Sequence, residues 1–100
     1  MSTLPYTLCY TINVRVADGQ MEDPPQWGFS QGYSFAYIKA AITRSLYEHG
    51  YAIARIRQEL DNEVSIEVRT QELLDNIIRR EKRLVDYPRI ELVVFVRRLQ

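Results

Sequence analysis

Residues 7–18 alternate strictly between apolar and other side chains. The apolar residues that share one side of this run are Leu8, Tyr10, Ile12, Val14 and Val16. Because successive side chains of a strand point to opposite faces, the pattern predicts a half-buried β-strand. Such a strand belongs to a sheet that is covered on one face, so other segments of the chain must supply the cover.

Two later segments have the periodicity of amphipathic helices. The first has Phe35, Ile38, Ile42 and Leu46 at spacings of three and four. Ser34 can cap it and Gly50 can end it, which predicts a helix over residues 35–49. Thr70 can cap the second helix, and Pro88 prevents its continuation. Its apolar face comprises Leu73, Leu74, Ile77, Ile78, Leu84 and Val85.

Three further strands complete the set of elements. Residues 51–59 suit a strand or a helix when taken alone, but Gly50 before them and Asp61-Asn62 after them favour a strand. Residues 63–69 alternate, with Val64, Ile66 and Val68 on one side, and we expect them to form a hairpin with residues 51–59. Residues 89–99 are predicted to be the final strand.

The order strand, helix, strand, strand, helix, strand resembles the ferredoxin-like βαββαβ sandwich. We therefore expect an α+β fold in which a four-stranded antiparallel sheet carries two helices on one face. With 100 residues, the chain fits one domain spanning residues 1–100. The resemblance concerns the fold alone, which supports many unrelated functions. The predicted core comprises Ile12, Val14, Ile38, Ile42, Ile66, Ile77, Leu92 and Val94.

The chain offers few groups for catalysis or metal binding. Cys9 and His49 are its only cysteine and histidine. In the expected fold they lie at the same end of the sheet, but the sheet separates their side chains, so we expect no catalytic dyad. Two such ligands cannot make a zinc site. The acids Glu59, Asp61, Glu63 and Glu67 are spread around the predicted hairpin and interleaved with Arg55, Arg57 and Arg69, which favours cross-strand ion pairing. We predict a non-enzymatic protein without a metal or a cofactor.

The apolar runs and the amino terminus predict the location of the protein. The longest apolar runs are far shorter than the roughly 20 residues that cross a bilayer. The first residues lack the pattern of a secretory signal, and one cysteine cannot form an intrachain disulfide. We therefore expect a cytoplasmic protein that does not contact a membrane.

Aromatic residues suggest where the protein makes contacts. Residues 19–33 contain two prolines, three glycines and three aromatic residues, and they predict a long loop of the kind that is often functional. Val93 and Phe95 should lie on the uncovered face of the sheet, where an apolar patch requires a cover. Trp27 and Phe29 of the same chain or of a second copy could supply it. The predicted partner-binding residues are Trp27, Phe29, Tyr33, Val93, Phe95, Tyr37, Arg44 and Tyr47.

These observations favour a small protein-interaction module that self-associates and serves as an assembly subunit, a regulator or an inhibitor of a larger protein machine. One alternative is an RNA- or DNA-binding domain that uses the basic second helix through Arg79, Arg80, Lys82 and Arg83. In the expected fold the central strands present no aromatic residue for base stacking. The other alternative is a ligand-sensing domain, because residues 28–34 lead into a helix N-terminus whose N–H groups could hold an anion.

Overall fold

A computed structural model describes residues 9–17, 21–60 and 64–99 of the chain. The elements in chain order are β1 (Thr11–Val16), β2 (Gln26–Ser30), α1 (Phe35–Glu48), β3 (Tyr51–Glu59), β4 (Ser65–Glu67), α2 (Gln71–Lys82) and β5 (Arg89–Arg98). The strands form one mixed sheet in the order β2-β1-β5-β3-β4. The described part of the chain is therefore an α+β fold with five strands and two helices.

The last strand of the chain lies in the middle of the sheet. β5 pairs in parallel with β1, from Thr11 beside Arg89 to Val16 beside Val94. On its other edge β5 pairs antiparallel with β3, which contains a β-bulge between Ile53 and Arg55. β1 and β3 pair antiparallel with β2 and β4 at the outer edges.

The predicted four-stranded antiparallel, ferredoxin-like sheet is wrong. The segment Gln26–Ser30, which the sequence predicts to be loop, forms the additional strand β2. β2 occupies one edge of β1, so only the other edge is free, and β5 pairs there in parallel. In the expected arrangement all neighbouring strands would be antiparallel, and β1 would not form a hairpin with the next segment.

The predicted helices agree closely with those observed. The Ser34 hydroxyl accepts a hydrogen bond from the Tyr37 amide at the start of α1, and the Thr70 hydroxyl accepts one from Leu73 at the start of α2. Gly50 has a φ of 85° directly after α1, a conformation that favours glycine. α2 ends earlier than its apolar pattern predicts, so Leu84 and Val85 lie beyond the helix and are exposed.

The hairpin of β3 and β4 is confirmed, with Gln58 beside Ile66. The predicted turn at Asp61-Asn62 lies outside the described residues. Ile66 and Val68 lie on the covered face as expected, but Val64 is exposed.

Both helices cover the same face of the sheet. Ile38 and Ile42 of α1 join Ile77 of α2 in one buried cluster with residues of β1 and β5. Of the predicted core residues, Ile12, Val14, Ile38, Ile42, Ile77, Leu92 and Val94 are fully or almost fully buried, and Ile66 is partly buried against them.

A side-chain bridge joins the starts of the two helices. The amide oxygen of Gln71 in α2 accepts a hydrogen bond of 2.6 Å from the Phe35 amide of α1. The Gln71 amide nitrogen donates a 2.8 Å hydrogen bond to one carboxyl oxygen of Asp75, which is 1% exposed. The second carboxyl oxygen of Asp75 is buried without a hydrogen bond. Gln71 therefore contacts both the N-terminus of α1 and a buried acid of α2.

Candidate functional site

The residues predicted to bind a partner fall into three separate places. Trp27 and Phe29 lie opposite Val14 and Ile12, so their side chains share the helix-covered face. Phe29 is buried in the core, and Trp27 packs against it. Neither residue contributes to the cover of Val93 and Phe95, because they are on the other side of the sheet. The contact predicted within the chain between these two pairs is therefore not formed.

The second place is the side of α1 that points away from the core, named here the α1 surface. Its residues are Ala36, Tyr37, Ala40, Thr43, Arg44 and Tyr47. Ile38 and Leu46 lie on the opposite, buried side of the same helix. All of these residues except Tyr37 line a shallow groove, together with Lys39. The exposed area of the groove is almost entirely apolar.

Tyrosine rings border the α1 surface. Tyr37 is 53% exposed and Tyr47 is 71% exposed. The Tyr33 ring stacks on the Tyr37 ring with 4.8 Å between centroids, and it meets the Phe29 ring edge to face at 5.9 Å. Because Phe29 belongs to the core, these ring contacts fix Tyr33 and Tyr37 to the body of the protein.

The third place is the sheet face without helices, named here the sheet face. It contains Val93 and Phe95 of the central strand β5 together with polar residues from β1, β3, β4 and β5. These polar residues are Thr11, Asn13, Arg15, Arg55, Arg57, Glu59, Ser65, Glu67, Arg89, Glu91 and Arg97.

The apolar centre of the sheet face is flanked by arginines. Val93 lies in register between Arg15 of β1 and Arg57 of β3, and it is only 2% exposed. The Arg57 guanidinium lies 5.2 Å from the centroid of the half-buried Phe95 ring, within the range of a cation–π contact. The centre of this face therefore consists of one aromatic ring and one guanidinium group.

Positive charge exceeds negative charge on the sheet face. Glu67 accepts a 2.9 Å hydrogen bond from the Arg69 guanidinium, and Glu91 accepts one of 3.1 Å from the Asn13 amide. Among the described residues, no arginine of the sheet face forms an ion pair with a carboxylate. These arginines are Arg15, Arg55, Arg57, Arg89 and Arg97.

The hydrogen bond from Arg69 lowers the pKa of Glu67, and the charges of Arg69, Arg55 and Arg57 act in the same direction against partial desolvation. We expect the substitution Arg69→Gln to raise the pKa of Glu67 towards its ordinary value, which NMR titration of the side-chain carboxyl can measure. Since the folded-state pKa lies below the unfolded one, this acid stabilises the fold above its ordinary pKa and ceases to do so as the pH falls through the lowered value.

Arg79→Gln on α2 serves as the control for this titration, because Arg79 is not among the groups that lower the pKa of Glu67. An unchanged Glu67 pKa in the Arg69→Gln protein would contradict the assignment.

The basic residues of α2 do not form one free surface. The Arg80 guanidinium donates hydrogen bonds to the buried Gln58 side chain and to Glu81. The Lys82 ammonium donates to the Asp86 carbonyl and lies over the Tyr87 ring. Arg79 and Arg83 alone remain exposed. The nucleic-acid surface predicted from the sequence is thus reduced to two cations.

The glycine-containing segment does not leave the N-terminus of α1 open. Gly28 is part of β2, and Gly32 has a φ of 100° in the turn before the helix. At the helix start, Gln71 accepts from the Phe35 amide and Ser34 accepts from the Tyr37 amide. Two of the amides that an anion would use therefore have acceptors already.

Cys9 and His49 lie at opposite ends of the sheet, contrary to the expectation from the sequence. Cys9 precedes β1, which starts beside Arg89, whereas His49 precedes β3, which starts beside Arg98. Arg98 lies nine positions after Arg89 along β5, which is about 30 Å at the rise of a strand. The His49 Nδ1 atom lies 2.8 Å from the Ser45 carbonyl oxygen of its own helix. The structure does not bring the two side chains together.

The described part of the chain contains no group of three or more histidines, cysteines or acids that could hold a metal ion. None of its helices is long and apolar enough to cross a membrane.

Comparison with known proteins gives no family for this chain. No family model matches it, and no curated protein sequence is significantly similar to it. The surfaces themselves are therefore the basis for a function.

The sequence predicted Val93 and Phe95 as contact residues on the uncovered face of the sheet, but it did not place Arg15, Arg55 and Arg57 beside them. The continuous apolar run Leu92, Val93, Val94, Phe95 and Val96 was the available signal. Such runs are typical of a central strand that is covered on both faces.

Proposed function

We propose that the protein works by contact as a small, non-enzymatic protein-interaction module, and that it self-associates through the α1 surface. The observation that carries the proposal is the exposed, mostly apolar side of α1, bordered by Tyr37 and Tyr47. Tyrosine and arginine are enriched at protein interfaces, and the α1 surface contains both. A role as an assembly subunit, a regulator or an inhibitor fits such a module.

The arrangement of residues on α1 favours a second copy of the chain as the partner. Tyr37 and Tyr47 lie five residues to either side of position 42. Two α1 helices that cross antiparallel about a two-fold axis therefore place Tyr37 of one copy against Tyr47 of the other. Ala40 lies near the centre of this contact and allows the helices to approach closely. Self-complementarity of this kind is what a two-fold interface requires.

Ala40→Arg tests the proposal, because it places a longer, positively charged side chain at the centre of the α1 surface without altering the core. We expect the wild-type protein to sediment as a dimer and the Ala40→Arg protein to sediment as a monomer in analytical ultracentrifugation. In the antiparallel arrangement residue 40 of one copy lies opposite Arg44 of the other, so the two like charges oppose association.

Asn76→Arg is the matched control, since residue 76 is also an exposed helical position but lies on α2. The control should remain a dimer, and both variants should keep the circular dichroism of the wild type. A wild-type protein that stays monomeric over a wide range of concentration, or an Ala40→Arg protein that stays dimeric, would refute self-association through α1.

A further inference from the structure

We propose that the sheet face binds single-stranded nucleic acid, independently of the α1 surface. The helices cover the other side of the sheet, so the two surfaces point in opposite directions. A contact through α1 leaves the sheet face accessible.

The order of the strands determines where the aromatic residue Phe95 lies. In a four-stranded ferredoxin-like sheet the last strand would be an edge strand, and no aromatic residue would lie at the centre. In this protein β5 is central, and Phe95 lies beside Arg55 of β3 on the face that no described helix covers. An aromatic ring on a central strand is a platform on which a base can stack.

Exposed arginines surround Phe95 on the sheet face. Arg15, Arg55 and Arg97 are exposed around Phe95, and no described residue forms an ion pair with them. Guanidinium groups bind phosphate oxygens through two parallel hydrogen bonds, and their planes also stack on bases. The Arg57 guanidinium next to the Phe95 ring adds a second planar group at the centre.

The same features favour a single strand over other anionic partners. An acidic peptide would satisfy the guanidinium groups but has no planar ring for Phe95. A duplex presents its bases inside grooves that admit a protruding helix or ribbon, whereas the centre of this face is a strand within a sheet. A single strand combines phosphate charges with bases that are free to stack.

The test is fluorescence anisotropy with labelled oligo-dT and oligo-U, which separate DNA from RNA as the source of the strand. The double variant Arg15→Gln/Arg97→Gln removes two exposed charges, and we expect at least about tenfold weaker binding. Its plot of log affinity against log salt should be shallower by about 1.4, because each phosphate contact to a single strand contributes about 0.7.

Phe95→Leu tests stacking, because leucine keeps the apolar character but removes the ring. We expect binding to weaken by about fivefold or more, the lower end of what a stacked base contributes. Circular dichroism shows whether this variant is folded. Since Arg15 and Arg97 are exposed, the double arginine variant decides the question alone if Phe95→Leu does not fold.

Arg79→Gln/Arg83→Gln is the matched control, with the same change in charge on the exposed part of α2. We expect it to bind both oligonucleotides as the wild type does. A wild-type protein that binds neither oligonucleotide at low salt would overturn the proposal. So would an α2 variant that loses as much affinity as the sheet variant, or a polyglutamate peptide that binds as tightly as the oligonucleotides. None of these results depends on self-association, which the Ala40→Arg variant tests separately.

Discussion

Leu92→Ala should lower the free energy of unfolding by about 2–5 kcal/mol, measured by chemical denaturation. Leu92 is fully buried on the central strand, in register with Val14 of β1 and on the side that both helices cover. Truncation removes apolar contacts and leaves a cavity between the sheet and the helices. Since small domains are stable by only about 5–15 kcal/mol, this single change removes a large share of the total.

Leu84→Ala is the matched control, because the chemical change is identical and Leu84 is 74% exposed beyond the end of α2. It should alter the free energy of unfolding by less than about 0.5 kcal/mol, as is usual for surface substitutions. Equal losses in the two variants would contradict the central, buried position of β5.

The local elements were predictable because their signals lie within a few residues. Ser34 and Thr70 cap the helices by hydrogen bonds to amides three residues away, and Gly50 ends α1 by its own backbone conformation. Such signals do not depend on the rest of the fold. The end of α2 was predicted too late because Leu84 and Val85 continue its apolar spacing although they lie in the exposed segment after it.

The strand β2 was missed because its signal is short and is preceded by contrary ones. Trp27 and Phe29 alternate with Gln26, Gly28 and Ser30, but two apolar positions after the pair Pro24-Pro25 are typical of a loop. What makes the segment a strand is its pairing with β1, which buries Phe29 beside Ile12. Strand propensity depends on such tertiary contacts more than helix propensity does.

The order of the strands determines which residues meet on the sheet face, and the sequence did not predict that order. The exposed tyrosines of α1 were found because the helix itself determines which side is free. The surroundings of Phe95 depend on which strands flank β5, and those strands are separated from it by many residues. Once β1 and β3 are known to be its neighbours, Arg15, Arg55 and Arg57 come to the same face.

The largest polar effect is expected for Gln71→Ala, which should lower the free energy of unfolding by about 1–3 kcal/mol. The Gln71 side chain accepts from the Phe35 amide and donates to Asp75. Its removal leaves the amide at the start of α1 without this acceptor, and it leaves both oxygens of the buried Asp75 carboxyl without a hydrogen bond. Buried polar groups without partners lose the full solvation that they had in the unfolded chain.

A double-mutant cycle separates this loss from a general effect of shortening the side chain. In the Asp75→Ala background the carboxyl group is absent, so Gln71→Ala should cost less than it does in the wild type, because only the Phe35 amide is then affected. Asn76→Ala, which truncates an exposed amide on the same helix, should leave the stability nearly unchanged. If Gln71→Ala costs the same with and without Asp75, the hydrogen bond between the two side chains does not stabilise the fold. The link between the helices would then depend on the contact of Gln71 with the Phe35 amide alone.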